Sequence, residues 1–392
     1  MNRLLRLTFW QWVFVLLMLG GVWAAAIRVF YGLGGATHLS DKFPWGLWIG
    51  FDVLCGVGLA AGGFTLAALV HIFNIERYKP ILRPTILTAF LGYLLVILAL
   101  LFDLGRSYRI WHVLVMWNPR SVMFEVAWCV ILYTTVLALE FAPAIFERLG
   151  WHTPLRWMHV VSIPLVIAGV ILSTLHQSSL GSLYLIVPHK LYPLWYTPLL
   201  PLFFFVSALC VGLAMTIFES WHSSRAFRRE LELPLLASMG RVLAVLLAAY
   251  LTMRFLDLLH RHALPLLREP RLETHLFILE IALMAVPMLL LLRRRVRTDP
   301  GALYVCAVMV IFGFVTNRLN VSVTGMERGS GTQYVPKWTE IMITLSIVAL
   351  GFAIFRWAVK HLPVFPEERP AGAESRPARG RAVLTPLPEG KD

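Results

Sequence analysis

Ten stretches of this sequence run for close to the length of a bilayer crossing with almost no charge, and that pattern constrains the fold more than anything else in it. A helix needs roughly 20 apolar residues to cross the hydrocarbon. The runs are Leu7–Ile27, Val53–Val70, Thr85–Phe102, Ser121–Leu139, Trp157–Leu175, Leu191–Phe218, Val242–Leu259, Leu276–Leu292, Gly301–Asn317 and Ile341–Val359. Pro193, Pro198 and Pro201 should confine the sixth helix to the later part of its run. Charged residues make up 15% of the 392, against about 25% in a globular domain. An all-α, polytopic integral membrane bundle of about ten helices follows, because in lipid only helices and closed barrels satisfy the backbone. The short alternating segments of barrel strands do not occur.

The net charge of +13 would suggest nucleic acid in a soluble chain, but basic residues also orient membrane helices, and no nucleic-acid partner is expected. Lys and Arg are richer on the side of the N-terminus, the loops after the even-numbered spans and the C-terminal tail, led by Arg293-Arg294-Arg295-Val296-Arg297. Both termini are therefore expected in the cytoplasm of a bacterial inner-membrane protein. The first run exceeds a signal peptide's roughly 7–15 apolar residues, so it reads as an uncleaved anchor. The bundle should fill residues 1–360. Residues 361–392, rich in Pro, Glu, Arg and Gly, read as a disordered tail.

Cys55, Cys129, Cys210 and Cys306 lie singly in separate runs, without the spacing of a metal cluster, and read as small apolar helix residues. The Gly56–Gly63 run lacks the strand that a dinucleotide loop requires, and Gly58 and Gly62 instead suggest close helix packing. Only His71, His159 and His176 lie in or at the ends of runs, which leaves few axial ligands for haem b.

Ionisable residues inside apolar spans are costly and mark candidate sites. Asp52, Asp103, Glu125, Arg254, Asp257, Glu280 and Arg318 all fall in the outer halves of their spans. Around them gather Trp45–Asp52, Asp103–Arg106 with Arg109 and His112, a loop from His176 to Ser182, and Asn317–Asn320. The reading is a polar pocket at the outer face, walled by Trp. A solvated surface, in which Asp103 and Glu125 merely pair with Arg106, Arg109 or Arg318, is the alternative. Glu125 is the leading candidate for proton transfer, with Asp103 beside it. Glu140 and Glu219 mark the other face as the mouth of a proton path, or simply as helix ends.

Phe43-Pro44-Trp45-Gly46-Leu47-Trp48-Ile49-Gly50-Phe51-Asp52, Asp103-Leu104-Gly105-Arg106, Ser121–Glu125, Leu139-Glu140-Phe141-Ala142-Pro143 and His176–Ser182 together resemble the NrfD family, in its HybB-type branch. That resemblance implies a haem-free membrane subunit that binds a quinone, menaquinone or ubiquinone, near the outer face. It implies a periplasmic ferredoxin-like iron–sulfur subunit as electron partner, with the large and small subunits of a nickel–iron hydrogenase or equivalent redox subunits. No iron–sulfur cluster is expected in this chain. On the same grounds Asp103, Arg106, Glu125 and His176 match motifs around the quinone and its protons. His112, Asp52 and Arg318 complete the candidate pocket. A membrane subunit serving sulfur metabolism, a b-type cytochrome subunit, and a secondary transporter are the other readings.

Overall fold

The computed structural model describes residues 8–365, so the expected tail from residue 366 onward lies outside the described residues. Ten helices are long and apolar enough to cross a membrane, in the expected order. They are α1 (Phe9–Ala36), α2 (Trp48–Ile72), α3 (Glu76–Asp103), α4 (Val122–Leu149) and α5 (His152–Ile186), then α6 (Leu200–Phe227), α7 (Leu233–His260), α8 (Leu272–Leu292), α9 (Pro300–Ser330) and α10 (Trp338–His361). Among the described residues there is no strand, only an isolated bridge between Ser40 and Phe43.

Local chemistry sets the ends. Pro193 and Pro198 keep the start of the sixth run out of helix, and Pro201 is tolerated in the first turn of α6, where its missing N–H costs nothing. Asp299 caps α9 by accepting from the Ala302 N–H at 2.6 Å, with Pro300 in the first turn. Gly150 ends α4 in the left-handed region, φ 70°.

The spans form two groups of four: α2 to α5 pack together, as do α6 to α9, while α1 lies along α10, which rests on α3. α2 and α6 run through the middle, with 72% and 67% of their most apolar windows buried, against 17% for α1 and for α5. These two central helices meet backbone to backbone: a Cβ on Gly212 would lie 2.8 Å from the Ala61 carbonyl carbon. Gly58 gives way in the same manner to the Phe314 ring, so the glycine run is a packing face. α2 is irregular, with wide π-type turns at Trp48–Val53 and Ala68–Ile72 and a break at Ala60 and Ala61.

Glu340, the third residue of α10 and fully buried, ties α1, α2 and α10 together at the face bearing the loops after odd-numbered spans. Its carboxylate accepts from the Tyr334 hydroxyl, from the His38 N–H at 3.2 Å and from the Lys337 N–H at 2.9 Å. Its carbonyl accepts from Trp48 Nε1 at 3.3 Å. Tyr334 in turn accepts from the Leu47 N–H at 2.8 Å and stacks on Phe43. Burial, with the bond to Glu340, holds the Tyr334 phenol above its usual range, so it remains a donor. Each buried donor left unpaired costs about 1–3 kcal/mol. Glu340→Ala is therefore expected to lower the unfolding midpoint of the detergent-solubilised protein by many degrees, with Glu340→Gln falling between it and the parent. A midpoint unchanged in Glu340→Ala would show that this knot does not hold the three helices.

Candidate functional site

The sequence-predicted residues share one end of the bundle, but the fold sorts them into three places. Asp52 and Asp103 face α1 and α10. Asp52, in the π-type turn that opens α2, is 7% exposed and accepts from the Thr344 hydroxyl of α10 at 2.7 Å. Asp103 ends α3, and its Oδ1 is buried without a hydrogen-bond partner. The cation beside it is Arg28 of α1, not Arg106 or Arg109. Arg28 is itself 7% exposed and donates to the carbonyls of Phe102 and Leu104, both at 2.7 Å. A guanidinium at a helix C-terminus answers carbonyls that have no partner within the helix. Arg106 is exposed, and His112 lies edge-on to Trp111 at 4.3 Å in the segment joining α3 to α4.

Glu125 occupies the first turn of α4, which Ser121 caps. Its side chain is exposed, and it accepts from the Ser179 hydroxyl of α5 at 2.5 Å. Its partner is thus a serine, where the alternative reading supplied an arginine.

His176 lies one turn before Ser179. The segment expected as a loop from His176 to Ser182 is instead helical, because α5 runs on to Ile186. That places His176 wholly inside the α2–α5 group, with neither ring nitrogen hydrogen-bonded. The Tyr93 ring of α3 packs against it at 5.6 Å, and Tyr133 of α4 meets Tyr93 edge-on at 4.7 Å. The Tyr93 hydroxyl is likewise buried and unpartnered, while the Tyr133 hydroxyl lies near Ser173 and the Phe64 backbone. Gln177 donates to the Val57 carbonyl at 3.1 Å, an oxygen in the turn just before α2 breaks, while its own Oε1 has no partner. Tyr93 precedes Asp103 by ten residues on one helix, so this cluster is about 15 Å deeper than Asp103. Buried polar atoms are nearly always paired, so a histidine with both ring nitrogens unpaired beside an unpaired tyrosine hydroxyl is a candidate site.

Arg318 belongs to the other group of four. It donates to Asn317 Oδ1 at 2.6 Å, to Ser207 Oγ at 2.9 Å and to the Phe204 carbonyl at 3.1 Å, between the rings of Phe204 and Phe314. Glu280 stands at the centre, fully buried, accepting from Trp195 Nε1 at 2.9 Å and from the side-chain amides of Asn317 at 2.7 Å and Asn320 at 3.0 Å. Arg254 is enclosed by Phe203 and Phe277, and Asp257 by Thr197 and Arg261.

Sequence reasoning passed over Arg28, Tyr93, Tyr133 and Trp195. Arg28 was legible as a single charge ending the first apolar run. The tyrosines are ordinary apolar-span residues until the fold sets them around a histidine. Among the described residues no three of His, Cys, Asp or Glu gather as metal ligands, and all four cysteines are free and buried. His71 is half-buried and His159 exposed.

Taken together, a bundle of ten membrane-spanning helices with an unpaired polar cluster deep in its first group of helices defines an integral membrane protein. The family described as polysulphide reductase, NrfD, matches residues 35–328, and the chain belongs to that family. It is 36% identical over 344 residues to the probable Ni/Fe-hydrogenase 2 b-type cytochrome subunit of Escherichia coli (strain K12), covering 86% of this chain and 88% of that one. The menaquinone reductase integral membrane subunit of Nitratidesulfovibrio vulgaris is 28% identical, covering 88% and 92% of the two chains. The Hdr-like menaquinol oxidoreductase integral membrane subunit of Archaeoglobus fulgidus is 24% identical, covering 85% and 88%.

Proposed function

We propose that this chain is the quinone-reactive membrane subunit of a respiratory oxidoreductase. Electrons arrive at the outer face from an iron–sulfur partner, a nickel–iron hydrogenase being the foremost source, and pass to menaquinone or ubiquinone. Membership of the family supports the redox role, and the names of the relatives, a hydrogenase subunit and two menaquinone-linked subunits, support the class of acceptor. The observation that carries the site is His176, with two ring nitrogens buried and unpaired beside the free hydroxyl of Tyr93.

Those groups fit a quinone. Its two carbonyl oxygens each need a donor, and the cluster offers the His176 ring N–H and the Tyr93 hydroxyl, neither with a partner in the protein. The quinone supplies the acceptor chemistry, taking two electrons from the partner and two protons to become the quinol. His176 binds and orients, since an N–H aimed at a carbonyl favours the negative charge that develops there. The packed apolar walls of α2 to α5 exclude water and so strengthen that bond.

Protons reach the site through carboxylates. Glu125 is exposed in the first turn of α4 and bonded to Ser179, one turn from His176, which suits it to pass protons. Asp103, with one free buried oxygen, is placed to take up and release a proton beside Arg28, and Asp52 neighbours it. Arg106 and His112 lie at the rim, placed to meet the partner. Arg318, whose two terminal nitrogens bond Asn317, Ser207 and Phe204, orients the other helices around the site. On the far side Tyr133 lies within electrostatic reach of Glu140, and Glu219 stands beside Thr88. If protons are drawn through that line from the cytoplasm, turnover builds a membrane potential that an uncoupler collapses. Vesicles that reduce quinone without a potential would remove the path and leave the site.

Isolation in mild detergent with mass spectrometry of the partners tests the assignment. Recovery of a ferredoxin-like subunit with hydrogenase subunits is the expected result. Recovery with sulfur-metabolism enzymes would change the donor, and a chain that comes out alone would sink the redox reading. Glu125→Gln is expected to slow quinone reduction by about 10²-fold while leaving electron transfer from the partner to a soluble dye intact. Unchanged quinone reduction would take Glu125 out of the mechanism.

A further inference from the structure

Gly169, Ser173 and His176 follow one another at single turns along α5 and so share one face of it, and all three are buried. Two carry polar side chains and the third carries none. The helix packed against them, α4, presents Tyr133 and, two turns further on, Glu140. Polar residues are costly inside a span, and a contact made only for packing has no use for them.

What α4 sets against Gly169 is specific. A Cβ there would meet Val136 Cγ1 at 3.3 Å, Glu140 Oε1 at 3.5 Å and the Tyr133 ring at 3.7 Å. The carboxylate and the phenol therefore face one another across bare glycine backbone. Past the glycine, the Tyr133 hydroxyl lies near Ser173, one turn before His176, and its ring meets Tyr93 edge-on at 4.7 Å. Tyr93 lies in turn against the His176 ring at 5.6 Å. From Gly169 to His176 the seam runs two turns, about 10 Å. At the opposite end of the same two helices Glu125 accepts from Ser179, so a carboxylate stands on either side of His176.

We propose that the seam between α4 and α5 carries protons from Glu140 to the His176 site, and that Gly169 is its passage, the one place where a side chain would separate carboxylate from phenol. This rests on the proposed function, whose quinone takes two electrons from the partner and two protons. A hydroxyl both donates and accepts, so it passes a proton without a lasting charge. For each proton, Glu140 gives one up toward Tyr133. The Tyr133 oxygen takes it as its own proton moves to Ser173 and on toward His176. Glu140 then regains one from water at the face away from Glu125. Gly169 is a positioning residue, since it acts only through the approach of Glu140 to Tyr133.

Alanine tests the passage with little disturbance. Its methyl fits once Val136 gives by a few tenths of an ångström, and alanine favours a helix over glycine, so the unfolding midpoint of Gly169→Ala should stay level or rise. Gly169→Ser fills the same space with a hydroxyl that can relay. The complex, with its iron–sulfur partner, is placed in vesicles containing menaquinone, and quinone reduction is followed together with membrane potential. Gly169→Ala should slow reduction about tenfold and lower the potential built per turnover, while Gly169→Ser recovers most of both. Added to Glu140→Gln, Gly169→Ala should cause no further loss.

Full rate and potential in Gly169→Ala would overturn the seam and leave the quinone site standing. Equal losses in the alanine and serine variants, with lowered midpoints, would make Gly169 a packing residue and overturn its role. A parent complex that reduces menaquinone without building a potential would overturn the seam alone. A parent complex that reduces a soluble dye but no menaquinone would overturn the quinone reading itself.

Discussion

Glu280→Ala is expected to leave little folded protein in the membrane. Three side-chain N–H donors, from Trp195, Asn317 and Asn320, converge on one fully buried carboxylate. Two arginines, Arg254 and Arg318, are buried in the same group of helices with no carboxylate of their own in contact. Alanine would strand all three donors and remove the negative charge that offsets two positive ones in a medium without water. Each buried donor left stranded costs about 1–3 kcal/mol, so three of them amount to much of the stability of an average domain. The measurement is the yield of monodisperse protein in mild detergent and its unfolding midpoint. Glu280→Gln keeps one acceptor oxygen but turns an amide N–H toward a donor, so it should fall between. Normal yield and midpoint in Glu280→Ala would show that this network does not hold α6 to α9.

The opposite pattern is expected of His176→Phe: an intact or stiffer protein that no longer reduces quinone. Phenylalanine keeps the ring that packs on Tyr93 and removes two unpaired buried nitrogens. A buried polar group without a partner costs about 1–3 kcal/mol, so the unfolding midpoint should stay level or rise. Loss of a donor aimed at developing negative charge costs roughly 10²–10³ in kcat. Transfer of electrons from the partner to a soluble dye should not change. The paired readout separates binding chemistry from architecture. A variant that loses stability together with activity would make His176 a structural residue, and one that keeps quinone turnover would move the site elsewhere.

How much of the candidate site was legible depended on what each residue needs. Glu280, Arg254 and Arg318 stood out because a charge in an apolar run demands a partner wherever it lies. Asp103 and Glu125 stood out for the same reason, but their partners did not. Arg28 is 75 residues from Asp103, and Ser179 is 54 from Glu125, so proximity in sequence pointed to Arg106 and Arg109 instead. His176 was read at the edge of a loop because its run of apolar residues ends there. The helix continues because Gln177, Ser178, Ser179 and Ser182 bond to backbone carbonyls or to neighbouring helices, so polar residues are satisfied without leaving the bundle.

The class of fold and the number of spans were determined by the sequence alone, since the bilayer imposes a length and a composition that each helix must meet by itself. The place where α6 begins was also local, decided by proline. Which helices touch was not, because lipid tails are as apolar as the helix faces and hydropathy cannot rank one neighbour above another. Only the tertiary structure decided that α1 leans on α10 and leaves a cleft at α3. It alone set Glu280 among three N–H donors and left both ring nitrogens of His176 without a partner, because hydrogen-bond satisfaction belongs to partners brought together across helices, not to any one segment of chain.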